Sequence, residues 1–210
     1  SLIKKPIPIS IDIEQEYDLQ DILNLKQTTL EFLVKKAQQE KAIFQKGKPR
    51  FTYVFLVAQI VILLFMELMG GSTNSATLIK FGAKFNPLML EGEWWRFFTP
   101  IFLHIGFLHL FMNSLALFYM GPLVERIFGN VRFVLIYLFA GFLGTLASFV
   151  TNPNLSAGAS GAIFGCFGAL LYFGVVYPKL FFRTMGANIL FVIGLNLVFG
   201  FTVQGIDNAG

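Results

Sequence analysis

Charge is scarce in this 210-residue sequence: Asp, Glu, Lys and Arg together make up 13% of it. A soluble domain carries about twice that fraction. Cysteine is nearly absent. The single Cys166 lies in an apolar run, which excludes a disulfide framework and a cysteine-based zinc site. The net charge is only +4, and no basic cluster is interleaved with aromatics on a polar surface. A nucleic-acid partner is therefore not expected. The first fifty residues are too polar for a secretory signal peptide. The first residue is Ser1 and not methionine, so the sequence is expected to be a piece of a longer one.

What is present is apolar. Hydrophobic residues make up 55% of the chain, and phenylalanine occurs 26 times. Stretches of about 20 apolar residues are long enough to cross a bilayer as helices. They are expected near 51–69, 98–120, 131–150, 157–177 and 183–203. This is the pattern of an all-α polytopic membrane protein. Residues 1–50 form the only water-soluble stretch. Leu19, Ile22, Leu23, Leu30, Leu33 and Val34 recur at roughly helical spacing there. One or two amphipathic helices are expected, with "KGKPR" (46–50) as a linker to a membrane core over 51–210. Between the first two spans, "GGSTNSATLIKFGAKFNPLMLEGEWWR" carries enough apolar and aromatic residues to fold at the interface. Trp94 and Trp95 belong at a membrane–water boundary.

Lysine and arginine set the orientation. Thirteen of the sixteen fall in the first fifty residues or in the 2–3 and 4–5 turns, at Arg126, Arg132, Lys179 and Arg183. Only Lys80, Lys84 and Arg96 fall on the other side. The positive-inside rule puts the N-terminus in the cytoplasm of a cell membrane. Spans 2 and 4 then both start at the outer face. Their polar residues lie at those starts: His104, His109, Asn113 and Ser114 in one, Ser160 in the other.

Polar groups inside a membrane face a bundle interior or a water-filled cavity. His109 and Asn113, four apart, share one helical face, whereas His104, five before His109, is expected to point elsewhere. With the backbone N–H of Ser160 they form a possible donor cluster for a developing oxyanion. The alternative is a hydrogen-bond network joining two spans. Ser160 sits in "GASG" at a helix start, where N–H groups and the helix dipole favour an anion. Gly161 and Gly165 also make a GxxxG, and the alternative reading of the serine is close packing alone.

Three stretches together resemble the rhomboid family of intramembrane serine proteases: "EWWRFFTPIFLHIGFLHLFMNSLALFYMGPLVERIFGNVRFVLIY", "GASGAIFG" and "GIDNAG". They occur in the family's order and spacing, within about residues 51–210. The resemblance implies a bundle of six transmembrane helices, five of them complete here, preceded by a small cytosolic helical segment. It implies Ser160 as nucleophile and His109 and Asn113 as oxyanion residues. Trp95 and Arg96 match the first-loop signature, and Glu125 and Arg126 the turn after span 2. Phe164 stands where some members carry a tyrosine that packs on the catalytic histidine. That histidine follows a motif like "NAG", so it is expected just beyond Gly210, and the 210 residues alone are expected to be inactive. A sixth span is expected to pack on the Gly161–Gly165 face.

The implied activity is endopeptidase cleavage of transmembrane segments of membrane proteins near the outer boundary, through a Ser–His dyad opening to the extracytoplasmic side. It needs no cofactor or metal, only nucleophile, base and oxyanion hole. The expected partners are transmembrane substrates and the lipid bilayer. A non-catalytic rhomboid-like protein that escorts helices is the alternative. A small transporter is a third reading, but no internal repeat supports it.

Overall fold

The computed structural model describes residues 19–202, and the "GIDNAG" stretch lies outside them. Two compact units divide the chain, Ser1–Ala42 and Ile43–Gly210. The described part of the first is helix α1 (Leu19–Ile43), which carries Asp21 in its first turn and Lys41 in its last and has no buried residue. Opposite charges at the two ends suit the helix dipole.

The second unit is a helical membrane bundle. Its long helices are α2 (Arg50–Leu68), α5 (Phe107–Phe128) and α6 (Asn130–Thr151), each apolar and long enough to span. Helix α7 (Ser160–Val176) is apolar but only 17 residues long. At 1.5 Å per residue it covers about 25 Å. Such a helix serves if its start is sunk in the bundle, with the non-helical backbone before it sheltered by protein. Ala157 and Ala159 are indeed buried. The last apolar stretch is not one straight span. Helices α8 (Pro178–Thr184) and α9 (Gly186–Thr202) meet at 74°, with the break at Met185.

The second span starts later than expected. Residues 98–106 are apolar yet not α-helical: Pro100 enters a 3₁₀ turn (Thr99–Phe102), and Gly106, at φ 81°, precedes α5. The helix then runs through Pro122 to Phe128. Glu125 and Arg126 are consequently in its last turn and not in a turn after it. Gly129, at φ 91°, alone separates α5 from α6. The loop after α2 is folded. It holds α3 (Ser75–Phe81), α4 (Asn86–Leu90) and a 3₁₀ turn (Trp94–Phe97). The Asn74 side chain accepts from the N–H groups of Ala76 and Thr77 at the start of α3, and Gly82 closes it at φ 96°.

Small residues set the helix spacing. A Cβ at Gly165 would lie 2.2 Å from Ala140 Cβ, so α7 rests on α6 through that glycine. The partner of this position is α6 and not a missing span. Gly121 meets Thr52 in the same way between α5 and α2. Glu125, fully buried, joins those two helices. Its carboxylate accepts from Phe51 N (3.0 Å), Thr52 N (2.9 Å) and Thr52 Oγ1 (2.7 Å), satisfying the first turn of α2 from outside that helix. In the core, Gln59 of α2 donates to the Tyr137 hydroxyl of α6 at 2.7 Å.

Candidate active site

Helices α5 and α7 are separated in sequence by the single antiparallel crossing of α6, so they start at the same end of the bundle. His109 lies in the first turn of α5, and Ser160 is the first residue of α7. The structure brings them together. A Cβ built on Gly158 would lie 3.0 Å from His109 Nε2 and 3.8 Å from Ser160 Oγ. Both side chains thus converge on the α-carbon of Gly158. That residue has φ 154°, a conformation side chains rarely adopt, and any side chain there would strike the imidazole.

A cavity of about 20 Å³ lies at this point, lined by His109, Ser160, Gly158, Gly141, Thr145 and Ser148 among others. Its size suits one water molecule, and its lining is polar enough to hold one. Helix geometry aims the first-turn N–H groups of α7 out of the end that lines it. Asn113 is buried, one turn after His109, and its Nδ2 donates to His109 O at 3.0 Å. One hydrogen of that amide is thereby occupied, and its second hydrogen is left to donate.

His104 departs from the helical reading. It sits in the loop before α5, fully buried, with its ring 5.3 Å from that of His109 in an edge-to-face pair. His104 does not point away from His109, because the helix begins only after Gly106. Neither ring nitrogen of His104 has a hydrogen-bond partner among the described residues.

The segment that delivers Ser160 is held by the first loop. Lys84 N donates to Ser156 O (2.9 Å), and Ser156 N returns to Lys84 O (3.1 Å). Gly158 N donates to Pro100 O at 3.0 Å. The Lys84 ammonium donates to the Asn152 carbonyl and, at 3.0 Å, to the Asn154 carbonyl. Arg96, 5% exposed, fixes the loop that carries Lys84. Its Nη1 donates to Ile79 O and Ala83 O, both at 2.9 Å, and its Nε to Glu93 Oε2 at 2.5 Å.

The remaining sequence-predicted residues lie apart from the cavity or at its edge. Trp95 is partly exposed beside Trp94, and Glu125 and Arg126 are at the other end of α5. Gly161 lines the cavity, whereas Gly165 packs on α6. Phe164 is exposed, edge-on to Phe167 at 5.5 Å. Sequence reasoning missed Thr145, Ser148 and the clamp made by Lys84. The hydroxyls at Thr145 and Ser148 give no signal in an apolar helix, and Lys84 reads as an ordinary loop charge.

Residues 91–210 match the family model described as the Rhomboid domain. The chain is 51% identical over 200 residues to Rhomboid protease GluP of Bacillus subtilis (strain 168), covering 94% of this chain and 39% of that protein. It is 35% identical over 165 residues to YdcA of the same organism, covering 76% of this chain and 79% of YdcA. It is 39% identical over 141 residues to RHOMBOID-like protein 1 of Arabidopsis thaliana, covering 64% and 36% of the two chains. The chain thus spans about two fifths of the length of GluP. A helical bundle of multi-pass membrane type with this match defines the class: the chain belongs to the rhomboid family.

Proposed function

We propose that the protein is an intramembrane serine endopeptidase that cleaves transmembrane segments of membrane proteins near the outer boundary of the membrane. The observation that carries this reading is the convergence of Ser160 and His109 on Gly158 beside a cavity for one water. The name of the relative GluP supports it. The Ser160 hydroxyl attacks the scissile carbonyl and passes its proton to a base. The carbonyl oxygen, now negative, receives the backbone N–H at the start of α7, the His109 imidazole and the Asn113 amide. The base returns its proton to the leaving amine, and water then hydrolyses the acyl-enzyme.

The family resemblance implies a base other than His104 and His109, the two histidines of this sequence. Using His109 as base would remove it as an oxyanion donor. Trp95, Arg96, Glu125, Arg126, Gly161 and Gly165 serve the scaffold: the first-loop clamp, the α2–α5 junction and the seat of α7. The first fifty residues form a cytosolic segment, and the site opens to the extracytoplasmic side.

The test is a fluorophosphonate probe together with cleavage of a model transmembrane substrate. In the whole gene product, Ser160→Ala abolishes both labelling and cleavage. A polypeptide of residues 1–210 alone, run beside it, does not turn over substrate. Cleavage by Ser160→Ala at the unsubstituted rate rejects Ser160 as nucleophile. Substrate capture with neither labelling nor cleavage favours a helix-binding protein instead.

A further inference from the structure

At the opposite end of the bundle from Ser160, the chain enters α2 along a segment that is fastened to the α5–α6 junction. Lys46 N donates to Arg126 O at 3.0 Å, and Asn130 Nδ2 donates to Lys48 O at 2.7 Å. Gly47 lies flush on the junction: a Cβ there would be 2.4 Å from Glu125 O and 2.7 Å from Asn130 Oδ1. Residues 46–50 are therefore not a loose linker. They hold three cations, Lys46, Lys48 and Arg50, at fixed places where a membrane-spanning helix begins.

These cations line a groove of about 580 Å³ with Phe51, Val54 and Asn130. That volume is within the usual range for small-molecule sites. None of the three makes an ion pair among the described residues. The nearest carboxylate does not neutralise them. Glu125 is fully buried, and its oxygens are taken by Phe51 N, Thr52 N, Thr52 Oγ1 and Asn130 Nδ2. The same bonds occupy the start of α2, so an anion here would be held by side chains and not by a helix end. The opposite wall is apolar: Phe51 and Val54 lie exposed on the outside of α2.

We propose that this groove binds the headgroup of an anionic phospholipid. Lys46, Lys48 and Arg50 take its phosphate, and Phe51 and Val54 take the start of its acyl chains. Free phosphate would use the cations but not the apolar wall. A zwitterionic lipid would bring an ammonium group against three positive charges. Basic residues just outside a membrane span attract anionic lipid in general. Here their backbone is fixed, which turns a diffuse attraction into a site.

The test uses the full chain in phosphatidylcholine vesicles with or without phosphatidylglycerol. Spin-labelled phosphatidylglycerol and phosphatidylcholine report relative association. The chain should prefer phosphatidylglycerol, and Lys46→Gln/Lys48→Gln/Arg50→Gln should weaken that preference by about 10²-fold, the surface effect of one basic residue taken three times. Lys26→Gln/Lys35→Gln/Lys36→Gln removes the same charge from α1 and should leave the preference nearly intact. A readout on the unsubstituted chain is acetylation: phosphatidylglycerol should protect Lys46 and Lys48 more than Lys26. Equal association of the two lipids, or equal loss in both triple variants, overturns the site. Displacement of the lipid by free glycerol 3-phosphate at comparable concentration overturns the lipid assignment in favour of a simple anion site.

Discussion

Lys84 has no exposed surface and sits under the segment that leads to Ser160. An unpaired buried ammonium is costly, and this one is stabilised by the Asn152 and Asn154 carbonyls. Lys84→Met keeps the length of the side chain and removes the donors, leaving two carbonyls short of a partner. The expected loss is about 2–3 kcal/mol, from the value of hydrogen bonds to charged groups. Thermal unfolding in detergent measures it, and an unchanged midpoint rejects the clamp. Since the same segment carries Gly158, turnover should fall as well. His109 and Asn113 act differently. In the proposed reaction their donors matter most when charge develops on the carbonyl oxygen. His109→Ala and Asn113→Ala should each lower kcat with little change in KM. Loss of one such donor costs about 10²–10³ in a soluble serine protease. A smaller loss is expected here, because the backbone N–H remains. Unchanged kcat in both variants would leave the pair a role only in joining helices.

Between elements, one glycine sets the approach of α7 to α6. Gly165→Val would place a branched side chain where even a Cβ lies 2.2 Å from Ala140 Cβ. The helices must separate, at about 1–3 kcal/mol for overpacking, and Ser160 at the head of α7 would move with them. Gly168, on the same helix, has nothing within 4 Å of a built Cβ. Gly168→Ala should be neutral or slightly stabilising, since alanine favours helix over glycine. Equal unfolding midpoints for Gly165→Val and Gly168→Ala would remove the close contact as a determinant. This contrast also shows what the sequence reveals. The GxxxG marked a packing face, but not which helix covers it, because that depends on contacts far along the chain. The apolar runs of α2 and α6 located their helices closely. The run at 98–106 misled, because hydropathy is blind to the turn that Pro100 and Gly106 impose. His109 and Asn113 were legible by their helical spacing and Ser160 by the glycines around it. Gly158 was seen only as small, and Lys84 only as charged, because their roles arise from neighbours sixty or more residues away for Lys84 and about fifty for Gly158.

At the scale of the molecule, the proposed orientation rests on the distribution of lysine and arginine. Of the three cations assigned to the outer side, Lys84 and Arg96 are buried clamps bonded to backbone carbonyls. Only Lys80 is exposed there. The proposed cytoplasmic start for α2 rests on the Lys and Arg count along the sequence, which burial in the fold does not alter. The orientation proposed for α2 extends to the site, since α2 and α6 run opposite to α5 and α7. Cys166 is the single cysteine of these 210 residues and is buried, so Cys166→Ala, with any cysteine elsewhere in the gene product also replaced, gives a background free of thiols. On that background Lys80→Cys and Lys26→Cys each add one exposed thiol. A membrane-impermeant maleimide applied to intact bacterial spheroplasts should label Lys80→Cys at once, and Lys26→Cys only after permeabilisation. The reverse pattern would invert the molecule, put Ser160 near the inner face, and require substrates cut on the cytoplasmic side.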